Sequence, residues 1–318
     1  MHEFTLINNY LKLLSRGNLS ALNLSDDIFY NKKKKLALSV DTFVHGVHFF
    51  STEPKKFLKK TLRAAISDLY CKGINPSYYF LSLSLPKNLG NKFWIKKVIN
   101  ILQKEQNKFG ISLSGGDTTF SPKFSLSITV IGYSRHKPVL RDGSILNDDV
   151  YVTGNISDSY IGLQILKKKK NFGKLNHLFK RKFYEPDLPY KFSSYLHTFA
   201  NASIDISDGL INDLRNLCLP SSLGAFIDLN LLPLSISTRK LIKSKKLNLR
   251  QIFSNGDDYQ ILFTSKQKNR SKIAFLSKKT NTKVTKIGLI NDTKKIVISH
   301  NGIHIHLNPK KMGYIHSF

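Results

Sequence analysis

Acidic residues are scarce in this sequence. Its 318 residues include 21 Asp and Glu against 50 Lys and Arg, which gives a formal net charge of +29. Cysteine occurs twice, at Cys71 and Cys218, without metal-ligand spacing or a disulfide framework, so we expect a reducing, cytoplasmic setting. Runs of about 20 apolar residues are missing, which argues against a membrane-spanning helix. The basic lead and apolar run of a secretory signal are missing too, and we expect none.

Arginine is also scarce, because 41 of the 50 basic residues are Lys and nine are Arg. Arg is the side chain that most often reads base edges and stacks on rings. Its scarcity beside abundant Lys, Asn and Ile is typical of an A/T-biased genome, and we do not expect nucleic-acid binding to explain the charge. A lysine-rich RNA-binding protein without catalysis stays open as an alternative of a different class.

Three widespread sequence signatures are absent. The sequence has no Gly-x-x-x-x-Gly-Lys-Ser/Thr loop, no protein-kinase Gly-rich loop with a catalytic His-Arg-Asp, and no Gly-x-Ser-x-Gly elbow. If the chain uses ATP, it therefore does so on another scaffold.

The hydrophobic pattern predicts two α/β (α+β) domains, as expected for a chain of this length. In an N-terminal domain, 1–137, it predicts helices over 4–14, 57–69 and 93–109 and strands over 36–41, 79–85, 111–113 and 123–133. In a C-terminal domain, 138–318, it predicts strands over 150–154, 203–206, 259–263 and 284–287, helices over 158–166, 189–199, 210–217 and around 273, and a hairpin over 296–305. Strands that alternate with helices indicate layered sheets.

Nine of the 21 acids lie in short motifs rich in Ser, Gly and Thr, where backbone and phosphate can approach closely. The motifs are Ser25-Asp26-Asp27, Ser39-Val40-Asp41-Thr42, Ser67-Asp68, Ser114-Gly115-Gly116-Asp117-Thr118-Thr119, Asp205-Ile206-Ser207-Asp208-Gly209-Leu210 and Asn255-Gly256-Asp257-Asp258. Mg²⁺ prefers oxygen ligands and is usually held by one or two carboxylates together with substrate phosphates. The motifs therefore predict a site for a nucleotide and Mg²⁺.

Single motifs also allow plainer interpretations. Gly115-Gly116-Asp117 fits either a nest of N–H groups for an anion or a simple turn. Asp205 and Asp208 around Ser207 fit either metal ligands or an N-cap for the helix that follows. Asp68, near the end of a predicted helix, opposes the helix dipole, which favours a compensating cation nearby.

Two histidines and one arginine are further candidate site residues. His45 and His48 are three residues apart, but a third soft ligand is missing, so we do not expect zinc. The His48 ring could contact a substrate, or it could be a packed histidine of the fold. Arg141, before Asp142 and Gly143, fits either a phosphate clamp or an exposed loop charge.

Taken in order, the acidic motifs resemble those of the thiamine-monophosphate kinase family, within the aminoimidazole-ribonucleotide-synthetase superfamily. The resemblance also includes His48-Phe49, Gly73 and Pro76, Val152-Thr153-Gly154 with Asp158 and Gly162-Leu163, Tyr259, and the closing Gly313-Tyr314-Ile315-His316-Ser317-Phe318. It extends over essentially the whole chain. It implies an N-terminal α/β domain that dimerises through its sheet and a C-terminal α/β domain that closes over nucleotide and substrate.

The resemblance implies ATP-dependent phosphorylation of thiamine monophosphate to thiamine diphosphate, with several Mg²⁺ ions, while a need for K⁺ stays open. The implied Mg²⁺ ligands are Asp27, Ser39, Val40 through its carbonyl, Asp41, Asp68, Asp117, Asp205 and Asp208. The implied ATP contacts are Gly116, Asp117, Arg141 and Ser207, and the implied substrate contacts are His48, Asp257 and Lys311. The acceptor phosphate is already ionised, so no catalytic base is expected, and charge neutralisation with positioning suffices. Another ATP-using enzyme of the superfamily is the alternative.

Some positions depart from the pattern of the family that the chain resembles. Val40 stands where the family usually has Thr, and Pro189 ends a segment that lacks the usual Pro-x-Pro-Arg. Asp257 replaces a usual Glu, Asn255 a usual Gly, and Lys311 an aromatic residue. These changes concern substrate affinity more than metal binding.

Overall fold

The computed structural model describes residues 3–305 and residue 313. Its N-terminal half contains helices α1 (Glu3–Leu6), α2 (Lys12–Leu14), α3 (Pro54–Tyr70) and α4 (Lys92–Phe109), and strands β1 (Phe29–Asn31), β2 (Leu36–Val44), β3 (Pro76–Leu85), β4 (Ser112–Phe120) and β5 (Ser125–Tyr133). A π-helical segment, Ile7–Leu11, joins α1 to α2, and a 3₁₀ segment spans Leu19–Leu24. These elements form one sheet with helices against one face.

The C-terminal half contains a second sheet. Its strands are β6 (Asp149–Thr153), β7 (Ala200–Asp205), β8 (Gly224–Asp228), β9 (Ile261–Ser265), β10 (Val284–Asn291), β11 (Ile296–His300) and β12 (Ile303–Ile305). Its helices are α5 (Asp158–Leu166), α6 (Asn176–Tyr184), α7 (Tyr190–Ser193), α8 (Leu210–Cys218), α9 (Ile236–Lys243), α10 (Leu249–Ile252) and α11 (Arg270–Lys279). Short 3₁₀ turns span Gly173–Leu175, Leu196–Thr198, Leu219–Ser221, Leu229–Leu231 and Gln267–Asn269.

The first sheet has the order β1-β2-β5-β3-β4, and β3–β4 is its parallel pair. Strand β5 alternates strictly, so Leu126, Ile128 and Val130 are buried toward α3 while the residues between them face outward. Strand β4 forms one edge and is exposed along its whole length. Helix α3 begins at Pro54, whose fixed φ suits a first helical turn. Helix α4 ends at Gly110, which adopts a left-handed φ of 66°.

The second sheet has the order β12-β11-β8-β10-β6-β9-β7, and β8–β11 is its parallel pair. Apolar side chains cover both of its faces. One cluster includes Val150, Ile204 and Leu214, and the other includes Phe192 and Phe263. The two sheets thus have separate apolar cores, although the division at residues 137 and 138 stays a prediction.

Most predicted elements are present, and the mixed α/β fold is confirmed. The helix predicted over 189–199 is wrong, because α7 stops at Ser193 and a 3₁₀ turn precedes β7. Ser193 Oγ there donates to the carbonyl of Tyr70 at 2.5 Å, a contact between the two halves that no local pattern encodes. The short elements β1, β8, α6, α9 and α10 were not predicted. Within the part of the chain that the structure describes, no helix is long and apolar enough to cross a membrane.

Candidate active site

A cleft of about 530 Å³ lies where the two halves meet. Its lining includes most of the acidic motifs, namely Asp26, Asp27, Ser39, Val40, Asp41, Asp68, Asp205, Ser207, Asp208 and Asp257, together with His48 and Arg141. Strand β2 and helix α3 supply one wall. The loop between β7 and α8 and the turn before β9 supply the other. Motifs that are far apart in the sequence therefore lie in one cavity.

Strand β2 places its polar residues by simple alternation. Ser39 is 4% exposed and shares the α3 side with Ala37 and Phe43, and Asp41 belongs to the same face. Val40 points the other way and is 58% exposed. Ser39 Oγ donates a hydrogen bond to Asp68 Oδ2 near the end of α3. The partner of Asp68 in this structure is thus a hydroxyl from the neighbouring sheet.

Asp41, Asp68 and Asp205 crowd one another in the cleft. Burial raises the pKa of Asp41 to about 7, and the charges of Asp205 and Asp27 add to the shift. Burial likewise raises the pKa of Asp205 to about 7, with the charge of Asp27 as the next cause. The pKa of Asp68 lies well above its ordinary value for the same reasons, burial first and then Asp41. Such carboxylates form a site with an excess of negative charge that a divalent cation would offset.

Asp27 differs from these three, because fixed cations contact it. Lys72 Nζ lies 2.7 Å from Asp27 Oδ2 and 3.0 Å from Asp26 Oδ1, and Arg141 donates hydrogen bonds to both oxygens of Asp27. Burial alone would raise the pKa of Asp27, but Arg141 and Lys72 lower it below its ordinary value. Lys72 is fully buried and also donates to the carbonyl of Ser203 at 2.7 Å. Asp27 is therefore the charge-neutralised member of the group.

The loop after β7 is held from both sides. Ser67 Oγ of α3 donates to Asp205 Oδ2 at 2.7 Å. The turn before β9 closes over the loop, since Asp257 N donates to the carbonyl of Ser207 at 2.8 Å. A Cβ at Gly256 would lie 1.9 Å from the same carbonyl oxygen, so only glycine fits there.

The N-cap interpretation of the motif before α8 is wrong. Gly209 occupies the N-cap position, and no side chain caps it there. Asp213 instead accepts the N–H of Gly209 at 2.9 Å through Oδ2, from one turn inside the helix. Asp208 is not the N-cap residue, and it accepts a hydrogen bond from Asn212 Nδ2 at 3.2 Å.

His48 folds back on β2 at the rim of the cleft. Val44 N donates to His48 Nδ1 at 3.0 Å, and the ring meets Phe43 edge-on with centroids 6.0 Å apart. The ring therefore combines packing with a place in the cleft lining. His45 packs near Phe49 and Phe124, where it is not part of the lining.

Gly116 and Asp117 lie outside the cleft of their own chain. Across the first sheet Asp117 is in register with Ser82, Ser127 and Thr42, which places it three strands away from β2. Three strand spacings amount to about 14 Å. Neither the nest nor the turn is found, because the two glycines continue β4 with φ values near 155°.

The C-terminal motif lies mostly outside the described residues, and so does Lys311. Gly313 is described, and a Cβ at this position would lie 3.1 Å from the carbonyl oxygen of Asp208 and 2.7 Å from Cβ of Asn212. A second cavity of about 420 Å³ includes Gly313 and shares Tyr160, Gln164 and Asn255 with the cleft. Gly313 therefore lies beside the loop that carries Asp208.

Sequence reasoning missed several residues of the site. Cys71 joins Asp27 and Asp205 in a group whose ligand atoms lie within 4.8 Å of one another. Asp213 is 1% exposed, and burial together with Asp208 and Asp205 raises its pKa well above the ordinary value. Lys72 belongs to the site through its ion pairs with Asp26 and Asp27, which are distant in the sequence. Asp213 follows Gly209 by four residues, and that one-turn spacing was the available signal, but many surface residues share it.

The chain is similar to known proteins over most of its length. The family model described as "AIR synthase related protein, N-terminal domain" matches residues 24–134. The chain is 34% identical to the thiamine-monophosphate kinase of Buchnera aphidicola subsp. Schizaphis graminum over 98% of this chain and 96% of that one. It is 33% identical to the Escherichia coli K12 thiamine-monophosphate kinase over 84% of each chain. This chain belongs to the thiamine-monophosphate kinase family.

Solved structures extend the likeness to the fold. The structure of AaThiL complexed with AMPPCP and TMP superposes with a TM-score of 0.84 at 26% identity, covering 99% of this chain and 97% of that one. The thiamine-monophosphate kinase of Stenotrophomonas maltophilia gives 0.76 at 27% identity, covering 94% and 96%. A HypE–HypF complex gives 0.73 at 15% identity and shows the fold alone. Kinases of this family therefore share the architecture of the chain from end to end.

Proposed function

We propose that this protein transfers the γ-phosphoryl group of ATP to thiamine monophosphate, forming thiamine diphosphate and ADP. The observation that carries the proposal is the gathering of separated aspartates into one cleft of a chain that belongs to the kinase family. The related structure with both AMPPCP and TMP supports the pairing of a nucleotide with a second ligand in this fold.

We propose Mg²⁺ ions in the cleft, because its carboxylates match the preference of Mg²⁺ for oxygen ligands. Asp41, Asp68, Asp205 and Asp208 would hold them, with Asp27, the hydroxyl of Ser39 and the carbonyl of Val40 as further ligands. The raised pKa values of Asp41 and Asp205 support this set, since burial and the charges of neighbouring aspartates disfavour the ionised carboxylates, a cost that a bound cation would offset. When bound, Mg²⁺ would neutralise the phosphates of the two anionic substrates.

Other residues of the cleft would contact ATP and thiamine monophosphate. Arg141 and Ser207 would bind phosphate oxygens of ATP, and the N-terminal N–H groups of α8 favour the same negative charge. His48 and Asp257, on the rim and the opposite wall, would contact thiamine monophosphate. The acceptor oxygen belongs to an ionised phosphate, so these residues need only orient it in line with the γ-phosphoryl group.

We also propose that the protein acts as a homodimer, in which Gly116 and Asp117 reach the cleft of the partner subunit. Asp117 is exposed on an edge strand and about 14 Å from its own cleft. The face of the first sheet opposite α3 carries exposed apolar side chains, among them Val40, Tyr78 and Tyr133. A second sheet packed on this face would bury them and place β4 beside another copy of the site.

Two further proposals concern domain movement and cellular location. We propose that the C-terminal domain, residues 138–318, moves against the N-terminal domain when nucleotide binds, since the cleft lies between them. We propose a cytoplasmic location, which suits the free and buried thiols of Cys71 and Cys218.

The test is a coupled assay with the purified chain, ATP, Mg²⁺ and thiamine monophosphate, with thiamine diphosphate measured directly. We expect product formation that EDTA abolishes, and replacing K⁺ by Na⁺ shows whether K⁺ is needed. Asp205→Asn and Asp117→Asn should each lower kcat by at least about 100-fold without lowering the melting temperature, because each removes a metal ligand. A wild-type chain that forms no thiamine diphosphate would refute the proposal, and near-normal rates in either variant would refute that residue's role.

A further inference from the structure

Lys60 is a buried cation at one end of the cleft that the assigned contacts do not use. It lies on α3, its side chain is 1% exposed, and Nζ forms a short ion pair with Asp257 Oδ1. The rings of Phe183 and Tyr259 flank the ammonium group, with centroids 4.4 Å and 4.6 Å from Nζ. Tyr259 Oη donates to the same Oδ1 at 3.0 Å. Two donors from different elements thus converge on one carboxylate oxygen.

This arrangement is poorly explained by stability alone. Burial lowers the pKa of Lys60, and Asp257 and Asp258 oppose that shift only in part. Buried ion pairs are often no more stabilising than apolar side chains of similar size, because both charges lose hydration. Their best-attested benefit is a defined geometry. Lys60 and Tyr259 restrain Oδ1, and among the described residues Oδ2 has no hydrogen-bond partner, so it remains available to a ligand.

The backbone around Asp257 makes such support necessary. Asp257 and Tyr259 adopt left-handed φ values of 68° and 52°, which side chains other than glycine rarely take. Conformations of this kind persist where the surroundings hold them, and they concentrate at functional sites. The turn lies against the loop of Ser207, and the side chain of Asp257 is 26% exposed in the cleft. Lys60 therefore connects α3 with a strained turn of the opposite wall.

The position of Lys60 on α3 separates it from the metal ligands. Lys60, Ala64 and Asp68 follow one another at intervals of four on a single helix face, and Ala64 and Asp68 line the cleft. Eight residues of helix span about 12 Å. Asp68 lies with the aspartate cluster, so Lys60 and Asp257 lie at the other end. That end is far enough away to contact a different part of the bound substrates.

We propose that Lys60 is a positioning residue that aims the Asp257 carboxylate at the cationic, amine-bearing part of thiamine monophosphate. A carboxylate oxygen suits the positive thiazolium ring or the amino group of the pyrimidine, whereas the phosphates of ATP would repel it. Lys60 thereby sets the affinity for the acceptor and leaves the affinity for ATP unchanged. This inference rests on the proposed function.

The experiment compares Lys60→Met with Lys59→Met by steady-state kinetics. Lys59 is the matched control, because it is the next residue of α3 and also pairs with an acid, Glu185 at 2.9 Å, outside the cleft lining. We expect Lys60→Met to raise KM for thiamine monophosphate about tenfold, with KM for ATP unchanged within about twofold. Lys59→Met should keep both constants at their wild-type values. A parallel rise of both KM values in Lys60→Met, or no rise, overturns the proposal.

Two further measurements separate positioning from a purely structural role. Asp257→Asn should reproduce the acceptor effect, and Lys60→Met combined with Asp257→Asn should be no worse than Asp257→Asn alone. A thiazole phosphate whose ring is uncharged and carries no aminopyrimidine, used as a competitive inhibitor, should bind wild type and Lys60→Met equally. Additive effects in the double variant, or an equal loss of the neutral inhibitor, contradict the inference.

If Lys60→Met does not fold, Tyr259→Phe tests the same point, because it removes the second donor to Oδ1 and keeps the ring. It should raise KM for thiamine monophosphate alone, and an unchanged KM rejects the inference. A wild-type chain without kinase activity refutes the proposed function, whereas an active wild type with an unaffected acceptor KM in these variants refutes only the role of Lys60.

Discussion

At the scale of single residues, the site is a balance between carboxylates that have fixed cations and carboxylates that lack them. Lys72 and Arg141 hold Asp27 in its charged form. Among the described residues neither Asp41 nor Asp205 forms an ion pair with a Lys or Arg, and burial raises the pKa of each to about 7. A raised pKa means that the folded, metal-free protein binds protons which the unfolded chain has already lost.

The stability of the metal-free protein should therefore depend on pH in a specific direction. Between about pH 4 and pH 7 the folded state holds more protons at Asp41 and Asp205, so their contribution to stability falls as pH rises through this window. Asp41→Asn removes one of these groups. In EDTA, we expect the melting temperature of Asp41→Asn to rise relative to that of wild type as the pH increases from 5 to 8. The corresponding change in the difference between their free energies of unfolding is about 2 kcal/mol.

Differential scanning fluorimetry at four pH values checks this difference. Mg²⁺ should stabilise wild type more at pH 8 than at pH 5, and it should stabilise Asp41→Asn less than wild type. A melting-temperature difference that is the same at pH 5 and pH 8 would show that the pKa of Asp41 is not raised in the folded protein.

At the scale of elements, the site depends on one close backbone contact. The turn that carries Asp257 lies on the loop that carries Ser207 and Asp208, and Gly256 makes this possible because it has no Cβ. The loop itself is held by α3 through Ser67 and Asp205. A side chain at Gly256 must push the two segments apart, since the atoms that it meets are backbone.

Gly256→Ala should therefore reduce kcat/KM by at least about 100-fold, because small displacements of catalytic groups are costly. Gly110→Ala is a suitable control. Its φ is 66°, but a Cβ there would meet nothing within 4 Å, so we expect a loss of about 1 kcal/mol in stability and normal activity. Kinetics and chemical denaturation of both variants provide the comparison. Normal turnover in Gly256→Ala would mean that the turn moves without consequence for the site.

At the scale of the whole molecule, the proposed dimer gives a role to an aspartate that lies outside the cleft of its own chain. Asp117 lies three strands from β2, and the proposed dimer would place it at the cleft of a second copy. A two-fold dimer would then contain two composite sites, each with Asp205 from one subunit and Asp117 from the other.

Heterodimers test this directly. One chain carries Asp117→Asn, the other carries Asp205→Asn, and two affinity tags allow purification of the mixed species. If Asp117 acts across the interface, one of the two sites is intact, and we expect about half of the wild-type activity. If Asp117 acts within its own chain, both sites are defective and the heterodimer is as inactive as either parent.

Much of this architecture could be predicted from the sequence because it depends on local patterns. The alternation in β5 and the helical period of α4 specify which faces are buried. The helix predicted over 189–199 was wrong, since α7 ends at Ser193. The hydrogen bond from Ser193 Oγ to the carbonyl of Tyr70 is a long-range contact that local periodicity does not reveal. The pairing of Lys72 with Asp26 and Asp27 was not predicted, since these residues are some 45 positions apart in the sequence.

The sequence by itself determined most of the longer elements, the fold class and the concentration of its few acids in glycine- and serine-rich motifs, because propensity, periodicity and ligand chemistry act over short stretches of chain. The tertiary structure decided how those acids differ. It paired Asp27 with Lys72 and Arg141 and left Asp41 and Asp205 without an ion pair among the described residues. It also placed Asp117 outside its own cleft and put Lys60 against Asp257. Charge interactions depend on distance and burial in space, which only the packed molecule fixes.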